Sequence, residues 1–325
     1  MHMSDALVSP TVAAVAGAAS LVLLGTAIRK LRPTETQPGD ERIVPLMGVM
    51  GAFVFAAQMI NFAIPGTGSS GHLIGGILLA AILGPWSGVL TLSSVLLLQC
   101  LLFADGGLLA LGCNILNMAV LSCLVAYPLI FQPLMRAEAS PVRIFTASIL
   151  AATAGLGLGA LAVTAETEAS GITALPFGRF LLFMLPIHLA IGLCEGAATG
   201  AVLCAVRRYR PELLVDIRRQ GTAGKHRTNR ALAVIALAAL LIGSSFSWLA
   251  SSQPDGLEWS IERLTGMAEI ETPDNTAHRT AATLQETTAA LPDYNTSLAG
   301  LVGCGAILLV AWGGSRLLRT GHRDG

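Results

Sequence analysis

The first two residues, Met1 and His2, offer three nitrogen atoms at spacings suited to one divalent metal ion. The amine of Met1 and the amide nitrogen of His2 close a five-membered chelate ring, and that amide with Nδ1 of His2 closes a six-membered ring. The amide must lose its proton, which metal binding can drive. The three nitrogens then share a plane with one position open, and planar nitrogen coordination suits Ni²⁺ or Cu²⁺.

A second imidazole could fill the open position, and the sequence contains six histidines. His72 is the best candidate because it ends a flexible Gly/Ser-rich loop, residues 61–72, at the head of a predicted helix. The others lie mid-span, in basic segments or in a distal polar loop: His188, His226, His322 and His278. A Met-His start and a loop histidine are each common, so an N-terminus that binds no metal stays open as an alternative.

The composition indicates a membrane protein. Of 325 residues, 53% are hydrophobic and 12% charged, with a mean hydropathy of +0.67, whereas soluble domains carry about 25% charged residues. Apolar runs near 20 residues recur along the chain and predict an all-α, polytopic fold within a lipid bilayer. The net charge is zero, so nothing suggests a nucleic-acid partner.

We predict nine transmembrane helices, seven followed by two. Residues 73–104 are ambiguous, because Gly84-Pro85 divides them and the 12-residue part reaches only about 18 Å of a roughly 30 Å core. We count two crossings there because most basic residues then fall on one side of the membrane. The nine apolar runs are 10–28, 43–60, the two parts of 73–104, 108–131, 144–164, 180–206, 231–250 and 297–315.

The distribution of basic residues predicts the orientation. On this count 17 of the 20 lysines and arginines fall on one side, within 29–42, 136–143, 207–230 and 316–323. The positive-inside rule makes that side cytoplasmic and places Met1 and His72 together at the outer face of the cell inner (plasma) membrane.

Polar residues cluster around the turn that follows the fourth predicted crossing. Gln99, Asp105, Asn114 and Asn117 could hold His72 or line the mouth of the site as outer partners of the metal ligands. Helix capping and hydrogen bonds between helices are equally good interpretations.

Three glycines repeat at four-residue spacing around Glu195, which favours close packing between helices within the bundle over docking on a partner. They are Gly192, Gly196 and Gly200.

Two absent motifs argue against an enzyme. No G-x-x-x-x-G-K-[ST] motif occurs, so the chain has no ATPase site of that kind, and no H-E-x-x-H motif indicates a metalloprotease. An ATPase that drives transport would therefore be another chain.

Four ordered blocks of the sequence resemble the CbiM/NikM family over about residues 1–206. The blocks are MHMSDALVSP, GTGSSGHLIGGILLAAILGPWSG, LLLQCLLFADGGLLALGCNILNMAV and PIHLAIGLCEGAATGAV. The family comprises substrate-capture (S) components of energy-coupling-factor transporters for cobalt or nickel. Its metal ligands match Met1, His2 and His72. Met3 replaces the family's usual isoleucine and Ala6 its usual glycine, which leaves the nitrogen ligands intact but could change how the N-terminal segment turns inward.

The C-terminal part, SSQPDGLEWSIERLTG followed by LPDYNTSLAGLVGCGAILLV, resembles the PDGLE/NikN-type auxiliary subunit. We therefore expect a metal-capturing domain at 1–206, a basic cytoplasmic linker at 207–230 and a two-helix module with an acidic outer loop at 231–325. That loop could concentrate cations or simply be a solvated connector. Its acidic residues are Asp255, Glu258, Glu262, Glu269, Glu271, Asp274, Glu286 and Asp293.

The resemblance implies a substrate-binding subunit for Ni²⁺ or Co²⁺ uptake. It also implies a transmembrane coupling (T) subunit and two cytoplasmic ATPase subunits as partners. The alternative is a self-sufficient secondary transporter or channel for divalent metal.

Overall fold

The computed structural model describes residues 1–31, 43–135, 140–215, 225–245, 250–292 and 297–320, and within these ranges the regular secondary structure is helical apart from one short hairpin. Short 3₁₀ turns occupy Asp5–Leu7 and Pro211–Leu213, and the hairpin pairs β1 (Phe62–Ile64) with β2 (Ser69–Gly71). The helices are α1 (Pro10–Leu31), α2 (Ile43–Gln58), α3 (Gly76–Leu83), α4 (Pro85–Phe103), α5 (Leu111–Leu134), α6 (Pro141–Ser170), α7 (Phe177–Tyr209), α8 (Lys225–Ser245), α9 (Gly256–Thr265), α10 (Thr276–Thr288) and α11 (Ser297–Thr320).

The helices confirm a polytopic membrane protein. Five of them, α1 and α4 to α7, are long and apolar enough to cross a bilayer. Shorter apolar stretches lie in α2, α8 and α11, at Ile43–Gln58, Leu232–Ser244 and Leu298–Ala311. The number of crossings and their orientation remain predictions.

The break predicted at Gly84-Pro85 is present and separates a short helix from a long one. Gly84 adopts a φ of 93°, and Pro85 begins α4, where its missing N–H costs no hydrogen bond. Helix α3 has eight residues, all buried, and at about 1.5 Å per residue it extends only about 12 Å. It is therefore enclosed by the bundle and is too short to cross a bilayer by its own length.

The two longest helices, α6 and α7, pack against each other along an extensive contact. A Cβ atom on Gly196 would overlap Cα of Ile149 on α6, so only glycine permits this approach. Gly192 and Gly200 lie against α6 in the same way, at Thr153 and Phe145. The predicted role of these glycines in internal packing is confirmed.

The C-terminal helices return onto the N-terminal half of the chain. Helix α2 packs against both α8 and α11, and α9 packs against α7. The segment before α9 binds the region around the hairpin: Ser251 N donates to the carbonyl of Asn61 at 2.7 Å, and Ser70 N donates to the carbonyl of Pro254 at 2.8 Å. We call residues 250–292 the return segment. The predicted linker, 207–230, lies partly outside the described residues, at 216–224.

Candidate metal-capture site

The N-terminal residues are inserted into the helical bundle. Met3 has no exposed surface, and Asn114 binds both of its main-chain groups. The Asn114 Oδ1 accepts from Met3 N at 2.8 Å, and its Nδ2 donates to the Met3 carbonyl at 3.1 Å. Gly107 N donates to the same carbonyl at 2.8 Å, and Asp5 Oδ1 accepts from Ala110 N at 3.0 Å. These bonds fix the direction in which Met1 and His2 point.

The imidazoles of His2 and His72 lie side by side. Their ring centroids are 5.2 Å apart and their planes differ by 21°, so the rings stack. His72 Nδ1 lies 3.3 Å from the carbonyl oxygen of Leu73, which can only accept a hydrogen bond. If Nδ1 carries the proton, Nε2 of His72 is the nitrogen available to a metal.

Two carboxylates contact the nitrogens that the sequence analysis assigned to the metal. The Met1 amine forms an ion pair with Asp255 Oδ2. His2 Nδ1 lies 3.3 Å from Asp105 Oδ1. A metal that binds these nitrogens would therefore replace two carboxylate contacts.

The electrostatic environment keeps both imidazoles neutral near pH 7. Burial lowers the pKa of His2 to about 3, and the positive amine next to it acts in the same direction. Burial likewise lowers the pKa of His72 to about 4, with further contributions from the amine and from His2. Neutral imidazole is the form that binds metals, so neither ring needs to lose a proton to act as a ligand.

The pKa values of the Asp255 and Asp105 carboxyl groups shift in opposite directions. Burial opposes ionisation of Asp255, but the positive Met1 amine outweighs it and holds the pKa of that carboxyl below its usual range. Burial raises the pKa of Asp105, which His72 and the amine only partly offset. Asp255 is thus the carboxylate most firmly held in its charged form.

A buried glutamate positions the segment after His72. Glu195 on α7 accepts hydrogen bonds from Ile74 N at 2.8 Å and from Gly75 N at 3.0 Å. Gly75 has a φ of 79°, a conformation that suits glycine, so the chain can turn directly into α3. The carboxylate therefore anchors the backbone two residues beyond the imidazole.

The predicted outer partners surround His2 and Met3 rather than His72. Asp105 contacts His2 and Asn114 holds Met3, as described above. Gln99 lies beside His2, and its Nε2 donates to Gln58 Oε1 at 2.6 Å. Asn117 Nδ2 donates to Glu166 Oε2 at 2.6 Å and lies 3.6 Å from the sulfur of Met3.

The side chains alone do not make a metal site. Among the residues that the structure describes, no group of three histidine, cysteine, aspartate or glutamate side chains is arranged to hold a metal. The predicted ligand set differs from such a group because two of its four nitrogens belong to the main chain, at Met1 and His2.

Sequence reasoning missed the contribution of the return segment. Asp255 belongs to the Asp-Gly-Leu-Glu stretch that carried the C-terminal resemblance, but nothing in its spacing linked it to Met1. His278, which we expected in a distal loop, is buried against the N-terminal segment. Its Nε2 lies 3.0 Å and 3.1 Å from the carbonyl oxygens of Asp5 and Val8, so it anchors that segment by donating a hydrogen bond.

Two known families match the chain. Residues 2–213 match CbiM, described as the cobalt uptake substrate-specific transmembrane region, and residues 229–320 match the PDGLE domain. A putative fused nickel transport protein NikMN of Archaeoglobus fulgidus is 32% identical over 333 residues, covering 98% of this chain and 100% of that protein. The fused nickel transport protein NikMN of Rhodobacter capsulatus is 32% identical over 280 residues, covering 82% of this chain and 78% of that protein.

A solved structure shares the fold of almost two thirds of the chain. The crystal structure of a truncated transition metal transporter is 32% identical to this chain, with a TM-score of 0.55. The match covers 64% of this chain and 99% of that structure.

Proposed function

The chain belongs to the CbiM family of nickel and cobalt uptake components of the membrane, with a PDGLE domain in its C-terminal part, and on this premise we propose that it captures Ni²⁺ or Co²⁺ as the substrate-specific subunit of an ATP-driven transporter. The ligands are the Met1 amine, the amide nitrogen and Nδ1 of His2, and the His72 imidazole. The metal is the transported substrate and is not retained as a cofactor.

The stacked rings of His2 and His72, 5.2 Å apart, carry the proposal. The Met1 amine belongs to the residue before His2, and Met1 lines the same small cavity as His72. Four nitrogens thus lie in one neighbourhood, with three of them constrained by the first two residues. Planar nitrogen coordination of this kind suits Ni²⁺, although the same ligands can hold Co²⁺.

The topology is part of the proposal. We infer nine crossings, seven plus two, with the N-terminus outside, a capture domain at 1–206, a basic linker at 207–230 and a second module at 231–325. His72 and Asp105 both lie near His2, so the chain between them begins and ends on one side of the bundle. We infer that the chain passes inward with α3, which lies inside the bundle, and returns outward through α4.

The partners are a transmembrane coupling subunit and two cytoplasmic ATPase subunits. The chain itself contains no P-loop motif for binding a nucleotide. The competing proposal, a self-sufficient secondary transporter or channel, predicts metal uptake by vesicles that contain this chain alone. Uptake that requires the partners and ATP supports the subunit assignment.

Titration of the purified full chain with Ni²⁺ tests the ligand set. We expect His72→Ala to weaken binding by more than about 100-fold, because loss of outer partners alone costs 10- to 100-fold. A short extension before Met1 should do the same, since it removes the free amine. The same extension placed after Gly325 is the control and should leave binding unchanged. Undiminished tight binding in either test variant would contradict the proposed ligands.

A further inference from the structure

The side chain of Met1 packs against the backbone of α6. Only 4% of Met1 is exposed, whereas terminal residues are usually poorly ordered unless other contacts tie them down. A Cβ atom on Gly159 would overlap Cε of Met1 and would stand 3.4 Å from its sulfur. The side chain therefore ends at a position of α6 where only glycine leaves room for it. Leu156, three residues earlier on α6, lines the same small cavity as Met1.

Two further contacts hold the N-terminal residues, and each acts on a different group. Asn114 binds both main-chain groups of Met3, and the Met1 amine forms an ion pair with Asp255. The ion pair must be released before the amine can bind a metal, because a ligand nitrogen must be deprotonated. Packing of the Met1 side chain requires neither a charge nor a proton. It can therefore persist when a metal takes the place of Asp255.

We propose that Gly159 forms a pocket for the Met1 side chain and that this contact positions the Met1 amine for the metal. The inference rests on the proposed capture function and adds a positioning pair to its ligands. Methionine suits this role because its unbranched, flexible side chain fills irregular gaps between packed elements. The site thus depends on two features of residue 1, its amine and its side chain. A first residue with the same nitrogen atoms but a shorter side chain binds nickel more weakly.

Titration of the purified full chain with Ni²⁺ tests the pair in a double-mutant cycle. Met1→Ala keeps all four proposed ligand nitrogens. It is encoded with an extra initiator methionine, which cells remove ahead of alanine, and mass spectrometry verifies the free N-terminus. We expect Met1→Ala and Gly159→Ala each to weaken binding by about 10-fold or more, as loss of an outer partner does. In the double variant the shorter first side chain makes room for the new methyl group, so its loss should not exceed that of Met1→Ala alone.

The cycle separates this contact from general packing of the helices. A Cβ atom on Gly159 would also stand 3.0 Å from the carbonyl oxygen of Asn117 on α5, and that effect is independent of residue 1. Independent effects multiply, whereas a direct contact makes the second substitution harmless once the first is present. Gly155→Ala, on the same helix, is the matched control and should bind nickel normally. Its Cβ would meet no atom closer than 3.4 Å.

Three results overturn the proposal. They are natural nickel affinity in Met1→Ala, a loss in the double variant equal to the product of the single losses, and a nickel–sulfur signal in the X-ray absorption spectrum, which would make Met1 sulfur a ligand. Met1→Ala only removes atoms, so the first result is obtained even if Gly159→Ala fails to fold. Failure of the proposed function is a separate outcome, namely no nickel bound by the natural protein, or binding that His72→Ala leaves unchanged.

Discussion

The Met1 amine and His2 Nδ1, two of the proposed ligand nitrogens, each contact a carboxylate. A protonated amine next to Asp255 and an imidazole nitrogen next to Asp105 are stable in a buried site because each has a partner. A bound metal would replace both carboxylate contacts, because it needs the amine neutral and the imidazole nitrogen free. Ni²⁺ with a deprotonated amide carries one net positive charge, which Asp105 alone can balance. Asp255 is then the carboxylate that matters most to the metal-free state.

Replacing Asp255 with asparagine isolates this charge. Asp255 also caps α9, where its Oδ1 accepts from Leu257 N and Glu258 N at 2.8 Å and 2.9 Å, and asparagine caps helices equally well. We expect Asp255→Asn to destabilise the metal-free protein by about 2 kcal/mol, because the buried ammonium loses its charged partner. Thermal unfolding with and without Ni²⁺ should show a lowered Tm that saturating metal largely restores, since the coordinated amine is neutral.

The control lies in the same cap. Glu258 Oε2 accepts from Asp255 N at 2.9 Å, so Glu258→Gln removes a carboxylate charge without touching the Met1 amine. It should lower the Tm equally with and without metal. A deficit of Asp255→Asn that nickel leaves unchanged would contradict the assigned role.

Asn114 determines where the chelating residues point, because it holds both main-chain groups of Met3. Leucine has a similar size but leaves Met3 N without an acceptor, at a cost of about 1–3 kcal/mol. We expect Asn114→Leu to weaken Ni²⁺ binding by about 10- to 100-fold in calorimetric titration, as loss of an outer partner does. Thr164→Val, which removes a buried hydroxyl bonded only within α6, should bind nickel normally. Equal affinities in both variants would rule out a positioning role for Asn114.

At this scale the sequence reveals local chemistry and little else. Met1 and His2 are adjacent, so the proposed chelate could be derived from the sequence directly. His72 was chosen because its loop leads into a predicted helix, and the charge pattern placed that loop on the side of Met1. Asp255 is 254 residues from Met1, and an acidic residue before a helix is usually a solvated cap. Only the return of the chain shows that this cap faces the N-terminus. Ala6 stands where the family usually has glycine. It has no positive φ and fits its 3₁₀ turn without strain.

Among the helices, the packing of α6 against α7 helps to hold the backbone after His72 in position. Glu195, which anchors the backbone after His72, is adjacent to Gly196, and that glycine lies against Ile149 of α6. A side chain at 196 would separate the two helices and displace the carboxylate. The spacing of the helices and the placement of His72 are therefore linked.

Gly196→Ala tests this link. The added methyl group must overlap the α6 backbone, and overpacking of this kind costs about 1–3 kcal/mol. We expect a lower Tm and weaker Ni²⁺ binding from the same preparation. Gly178→Ala, on the same helix but with nothing within 4 Å, is the matched control and should keep both values. A Gly196→Ala protein with the natural Tm would contradict the close packing.

The long apolar helices were predictable because a bilayer demands about 20 apolar residues per crossing. The elements that escaped prediction have weaker signals. Helix α3 is eight residues long, and the middle of α5 (Ile115–Phe131) has a wider π-helical winding that hydrophobicity does not encode. Helix α10, Thr276–Thr288, is mostly polar, so it could not be distinguished from the loop that we predicted there.

Across the whole molecule, the return segment covers the proposed capture site. Pro254 and Gln253 bind Ser70 of the hairpin that leads to His72. Asp255 binds the Met1 amine, and Gly256 forms a wall of the cavity. The part of the chain that matches the PDGLE domain thus borders a site whose proposed ligands are the Met1 amine and two histidines of the part that matches CbiM.

Trp259 attaches the return segment to the rest of the protein. Its Nε1 donates to the carbonyl of Thr67 at 3.0 Å, and its ring packs edge-on against Phe183 of α7, with centroids 5.9 Å apart. The indole therefore ties α9 both to the loop before His72 and to the helix that carries His188. A metal held in this cavity would have to displace the segment to leave toward this side, so we expect the strength of the attachment to govern the rate of release.

We expect Trp259→Ala to speed Ni²⁺ release by about 10-fold or more, because it removes one hydrogen bond and one aromatic pair worth about 1–3 kcal/mol together. Trp259→Phe keeps a ring next to Phe183 but loses the bond to Thr67, so its rate should be intermediate. Stopped-flow transfer of nickel to a chelator measures these rates, and the nickel spectrum should stay unchanged because no ligand is altered.

Trp86→Ala provides the control, since Trp86 is the second residue of α4, at the end opposite Asp105, and its ring contacts Lys30. Its release rate should match that of the natural protein. If all three tryptophan variants release nickel at the natural rate, the return segment does not retain the metal. An altered spectrum in Trp259→Ala would instead mean that the segment shapes the ligand set itself.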